Sequence, residues 1–138
     1  MEAARSRAAE RTGERNLGKT ILVVDDSSTI RLAVVGALRS AGHEVVEAAD
    51  GEEALGLLDG RKIHLIVSDV NMPRMDGLAF ARAAKSITAY RFIPIVMLTT
   101  VVDEAKKIQG RSIGVHAWVV KPFQEQVLLD AVSMLLPT

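Results

Sequence analysis

Five polar residues stand where short apolar runs stop. LVV (22–24) runs onto Asp25 and Asp26, LIVS (65–68) onto Asp69, IVML (95–98) onto Thr99, and WVV (118–120) onto Lys121. Three carboxylates, a hydroxyl and an amine, with no thiol and no nearby histidine, suit a site that holds Mg²⁺ beside a phosphoryl group. The carboxylates offer oxygen donors to a hard cation and one of them a nucleophile, while the amine offers a fixed positive charge to phosphoryl oxygens. Acceptance of a phosphoryl group is the chemistry expected. It requires the four runs to be neighbouring parallel strands. Buried parallel strands read as continuous apolar runs, and open α/β sheets gather their functional residues beyond the strands' carboxyl ends.

The intervening segments have the patterning that such a sheet needs. TILVV (20–24) reads as the first strand, and Ser28 starts a helix whose apolar positions Ile30, Ala33, Val34, Ala37, Leu38 and Ala41 keep helical spacing up to a stop at Gly42. HEVVEA (43–48) reads as the second strand, Asp50 as the cap of a helix beginning GEEALGLL, and KIHLIVS (62–68) as the third strand. A Met72-Pro73 turn precedes a helix from Gly77 to about Ser86, and Pro94 opens the fourth strand. The fourth helix, Asp103 to about Ser112, is weakened by Gly110, which costs roughly 1 kcal/mol against alanine. Trp118 to Val120 gives the fifth strand and Gln124 to Leu136 the fifth helix. Five strands alternating with five helices predict an α/β fold, a doubly wound five-stranded parallel sheet with helices on both faces. The flavodoxin-like order 2-1-3-4-5 leaves the second strand at an edge and centres the crevice over strands one and three.

Composition bounds the function classes. A chain of 138 residues, 49% hydrophobic, supports one domain. Seventeen basic residues balance seventeen acidic ones, so net charge proposes neither a nucleic acid nor an anionic membrane as partner. The absence of cysteine excludes disulfides and thiolate metal sites, and no membrane-length apolar stretch or signal-peptide core is present; a cytoplasmic protein is the expectation. Residues 1–19 hold alanine and scattered charge with almost no large apolar side chain and are expected to form a flexible tail, leaving 20–138 as the folded domain.

VVDDSSTIR, SDVNMPRMDG, MLTT and WVVKPF, in that order over most of residues 20–123, resemble the receiver domain of two-component response regulators, and most of all its single-domain, CheY-like chemotaxis members. The expected strand order is the known order of that fold. The resemblance implies that Asp69 accepts a phosphoryl group from a histidine kinase. It also implies that Mg²⁺ is held by Asp25, Asp26, Asp69 and the backbone carbonyl of Asn71, with Asp26 as a direct ligand and Asp25 acting through water. Lys121 would pair with Asp69 before reaction and with phosphoryl oxygens afterwards, and Pro122 permits a cis peptide after it. Thr99 would swing to the phosphoryl group and vacate space for Trp118, re-forming the face of fourth helix, fifth strand and fifth helix. The expected protein is a phosphoacceptor signalling protein rather than a classical enzyme, a monomer or weak homodimer, with another protein, such as a flagellar motor switch protein, as its output, since the chain ends directly after the fifth helix.

Two residues depart from the commonest receiver pattern. Thr100 stands where many receivers have alanine, and Val101 where the enteric chemotaxis type has glutamate; both imply an altered phosphoryl lifetime. Asp76-Gly77 reads as turn and helix-start chemistry, Ser27 and Ser28 as helix caps, and His43, His64 and His116 match no site position. A haloacid-dehalogenase-like phosphatase would want a second acid where Asn71 stands, and a flavodoxin-like FMN carrier a glycine- and hydroxyl-rich loop in place of DDSST. The remaining alternatives are a phosphate sink or relay intermediate and a docking module that works without phosphorylation.

Overall fold

A computed structural model describes residues 19–100 and 104–136. Its elements are β1 (Thr20–Val24), α1 (Ser28–Ser40), β2 (Glu44–Ala48), α2 (Gly51–Leu57), β3 (Leu65–Asp69), α3 (Gly77–Lys85), β4 (Ile95–Thr99), α4 (Glu104–Ile113), β5 (Ala117–Val120) and α5 (Glu125–Leu135), with a 3₁₀ turn at Thr88–Tyr90. All strand pairs are parallel and the order is β2-β1-β3-β4-β5, as expected. The expected tail lies outside the described residues apart from Lys19, as do Val101 and Asp103. Among the described residues no helix is long and apolar enough to cross a membrane.

Strand alternation divides the core into two layers. Ile21, Val23, Leu65, Val67, Val96, Leu98 and Val119 face α1 and α5, meeting Val34, Leu38, Leu128 and Val132. Leu22, Val24, Ile66 and Met97 face the opposite layer, where Ala54, Leu78, Phe80, Ala81 and Ala84 of α2 and α3 cover them. β2, at the sheet's edge, is the least buried strand, with Glu44 and Glu47 exposed, and charge at an edge discourages pairing with another chain.

The helix starts are set by the side chains expected to cap them. Ser27, Asp50 and Asp76 accept the N–H groups of Ile30, Glu53 and Ala79. α1 ends at Ala41, and Gly42 follows with φ +95°, the left-handed conformation that favours glycine. β3 begins three residues later than the expected 62: Ile21 pairs with Leu65, and β1 starts at Thr20, so Lys62 and Ile63 have no strand beside them. His64 still contributes, its Nδ1 accepting the Thr20 N–H at 2.9 Å and its own N–H reaching the Thr20 carbonyl at 2.8 Å. The 3₁₀ turn, absent from the sequence reading, buries Tyr90. Its hydroxyl donates to the Arg61 carbonyl at 2.7 Å and accepts the Gly60 N–H at 2.9 Å, pinning the loop that leads into β3.

Gly77 does more than start α3. Its N–H donates to the Val70 carbonyl at 2.7 Å, and a Cβ there would meet the Asp69 carbonyl oxygen and, at 2.9 Å, Val70 Cα. The helix thus rests directly on the backbone that carries Asp69. Gly77→Ala is expected to lower unfolding free energy by at least about 2 kcal/mol, since backbone cannot yield as a side chain can; a urea midpoint equal to wild type would show that the contact is not close. Burial of His43 lowers its pKa, and its Nδ1 has no partner among the described residues. A neutral imidazole favoured by folding supplies stability above the unfolded pKa of about 6.5 that is lost as pH falls below it. Urea midpoints between pH 7 and pH 5 are therefore expected to fall less steeply for His43→Leu than for wild type.

Candidate functional site

Sheet register brings the chemistry-bearing residues together. Val24 pairs with Ser68, so the next residues, Asp25 and Asp69, are neighbours at the carboxyl edge. Asp69 in turn pairs with Leu98, and Thr99 with Val120, so Thr99 and Lys121 follow in step on the next two strands. The Lys121 N–H donates to the Thr99 carbonyl at 2.7 Å, which fixes where the lysine leaves the sheet, and its peptide bond to Pro122 is cis.

The Lys121 ammonium lies 3.1 Å from Asp69 Oδ1 and 3.4 Å from Asp25 Oδ2, with only 10% of its side chain exposed. Asp25 is fully buried, and its Oδ1 also accepts the Ser27 N–H at 2.9 Å. Asp26 is exposed. Burial pushes the Asp69 carboxyl above the usual carboxylate range; the hydrogen bond from Lys121 opposes this and the Asp25 charge adds to it. Carboxylate oxygens of Asp25, Asp26 and Asp69 all lie within 4.8 Å of one another, the only such acidic group among the described residues. One ammonium against three carboxylates leaves surplus negative charge, and an all-oxygen donor set of this kind fits a hard divalent cation such as Mg²⁺.

The remaining expected residues fall around this pocket. Thr99 is buried at the end of β4, and Thr100 beside it is exposed. Asn71, exposed on the loop after β3, donates its N–H toward Asp69 Oδ1 at 3.4 Å. Trp118 is half-buried and packs against the α2/α3/α4 layer. Its indole lies over Gly110 of α4: a Cβ there would come within 2.6 Å of Trp118 Cζ2. Gly110, read from sequence only as a weakness in the helix, makes the seat for the ring.

Three further residues join the site's surroundings. Lys106 of α4 reaches across to the Asn71 side chain, its Nζ 3.2 Å from Oδ1. Arg31 of α1 donates to the Asp25 carbonyl at 2.7 Å and to Glu47 at 3.3 Å, tying β1's end to β2. Arg74, with φ 68°, lies in the turn between β3 and α3 and pairs at 3.0 Å with Asp50, the cap of α2. Arg74 follows Met72-Pro73, where the sequence signals a turn; nothing local signals the contacts of Lys106 with Asn71, Arg31 with Glu47 and Arg74 with Asp50.

Residues 21–133 match the family described as the response regulator receiver domain. The chain is 39% identical over 120 residues to chemotaxis protein CheY1 of Helicobacter pylori, covering 86% of this chain and 97% of that one. It is 42% identical over 118 residues to the probable transcriptional regulator ycf27 of Cyanophora paradoxa, covering 86% of this chain but 48% of that one. Its structure is similar to that of Vibrio cholerae chemotaxis protein CheY4, with a TM-score of 0.83 and 43% identity over 86% of this chain and 98% of that one. Matched from its first strand into its last helix, the chain belongs to the response regulator receiver domain family.

Proposed function

We propose that the protein is a phosphoryl-accepting switch in which Asp69 is the acceptor, and that its output is control of a partner protein in chemotaxis. The observation that carries the first part is the Lys121 ammonium held 3.1 Å from a buried Asp69 beside two more carboxylates. In the reaction a carboxylate oxygen of Asp69 attacks the phosphorus of a phosphohistidine on a histidine kinase. A P–O bond forms, the P–N bond breaks, and the imidazole leaves with a proton from solvent. Asp26 and Asp69, with the Asn71 carbonyl, would hold Mg²⁺, and Asp25 would act through water. The ion would supply positive charge against the phosphoryl oxygens and the clustered carboxylates. Lys121, already placed between Asp25 and Asp69, exchanges its carboxylate contact for a phosphoryl oxygen, so the charge reorganises little during transfer.

The chemotaxis output rests on the similarity to CheY1 and CheY4 over nearly the whole of those chains. Readout would run through α4, β5 and α5. Thr99, at the end of β4, would hydrogen-bond the phosphoryl group, and Trp118 would change its packing in response, a shift between two arrangements biased by new charge-assisted hydrogen bonds. Exposed Ile108, Val120 and Val127 on these three elements offer apolar surface to a partner.

Incubation with acetyl phosphate and Mg²⁺ is expected to add one phosphoryl group to the intact chain by mass spectrometry. Asp69→Ala, or excess EDTA, is expected to abolish it; uptake by Asp69→Ala at the wild-type rate would move the acceptor elsewhere. A second outcome tests the aromatic arm. Gly110→Ala is expected to displace the indole, so that Trp118 fluorescence is quenched more readily by acrylamide before any phosphorylation. Alanine's helix propensity, better by about 1 kcal/mol, would meanwhile offset part of the packing loss. Quenching unchanged from wild type would mean that the ring does not depend on that seat.

A further inference from the structure

We infer that Lys106 is a positioning and donor-capture residue of the acidic pocket, acting through Asn71 and through its charge; this rests on Asp69 being the phosphoacceptor. The contact joins two elements distant in sequence: Lys106 Nζ lies 3.2 Å from Asn71 Oδ1, and the Asn71 N–H points to Asp69 Oδ1 at 3.4 Å. One residue, Asn71, therefore links a second ammonium to the acceptor at the end of β3. Lys121 occupies the pocket's interior, bound to Asp25 and Asp69, whereas Lys106 stands at the rim, half-buried on α4.

Two physical arguments favour a role in the reaction over a role in the helix. Lys106 is in the first turn of α4, where the helix dipole disfavours a cation, while Glu104 supplies the acidic residue that such a turn prefers. The pocket also presents three carboxylates to an incoming phosphodonor that is itself an anion, with one internal ammonium to balance them. A rim cation lowers that barrier and raises the local concentration of the donor before transfer begins. By accepting the ammonium's hydrogen bond, Asn71 Oδ1 is also fixed, which steadies the residue whose backbone N–H donates to Asp69 Oδ1.

The test compares wild type, Lys106→Arg and Lys106→Met in the full chain with Mg²⁺, following phosphorylation by acetyl phosphate, a dianion, and by phosphoramidate, which carries less negative charge. Lys106→Met is expected to raise the half-saturating acetyl phosphate concentration about fivefold at low salt, as one lost charge near a dianion implies. Its maximal rate should change less, the effect should shrink with phosphoramidate and with added salt, and Lys106→Arg should stay near wild type. Equal half-saturation in Lys106→Met and wild type at every salt concentration overturns the inference. So does an equal loss in Lys106→Arg and Lys106→Met, which would make the contact a matter of shape rather than charge. Failure of wild type to take up phosphate from either donor would instead overturn the acceptor role of Asp69, and the inference with it.

Discussion

Everything in this molecule is arranged around one ammonium held between two buried carboxylates. Removing charges from water is costly, and a buried pair persists only when geometry and further hydrogen bonds compensate. Here Lys121 can reach both Asp25 and Asp69 only because β1 and β3 are adjacent and in a register that sets the two acids level, while β5 returns at the proper height two strands away. The backbone bond from Lys121 to the Thr99 carbonyl and the Ser27 N–H on Asp25 complete the arrangement. The ammonium does not neutralise the pocket. Surplus negative charge in a buried place is a standing demand for a cation and, once a cation is present, for the oxygens of a phosphoryl group.

The same constraint explains why the scaffold is so regular. Both faces of the sheet are covered, by α1 and α5 on one side and by α2, α3 and α4 on the other, so the strands are fixed to either side of their functional ends. The precision needed at the pocket comes from main-chain contacts. Gly77 lets α3 rest on the Asp69 and Val70 backbone, and Arg31 ties the Asp25 carbonyl to the β2 side. A carboxylate on a free loop would find its own way out to water. One emerging from a strand clamped on both faces cannot.

What could be read in the sequence was whatever is local. Continuous apolar runs gave the strands, and Ser27, Asp50 and Asp76 announced the helix starts because a cap acts within three residues. Asp25, Asp26, Asp69, Thr99 and Lys121 were visible because strand ends in a parallel sheet share one edge. What remained hidden depends on partners far along the chain. Lys62 and Ile63 look like strand, yet β1 begins too late to pair with them. Tyr90 anchors a loop some thirty residues earlier, and Lys106 reaches Asn71 from 35 residues away. Gly110 was legible as an oddity and illegible as a reason, because the indole that needs its missing Cβ comes from a different element.

Lys106 and Gly110 are four residues apart on α4, so they share one face of that helix, a turn from each other. One touches the rim of the acidic pocket through Asn71; the other seats Trp118. A rigid helix that meets both places cannot adjust to one without displacing its contact with the other, and α4 also carries Ile108 on the exposed surface. Coupling between pocket and surface then needs no long chain of intermediates. A change of charge at Asp69 that favoured a slightly different position of α4 would alter the indole's seat and the outward apolar face in the same movement, and packed interfaces of this kind tend to have two discrete arrangements rather than a continuum. A handful of charge-assisted hydrogen bonds at the pocket would be enough to exchange one for the other, since two packings of one helix against the same core differ little in the area they bury.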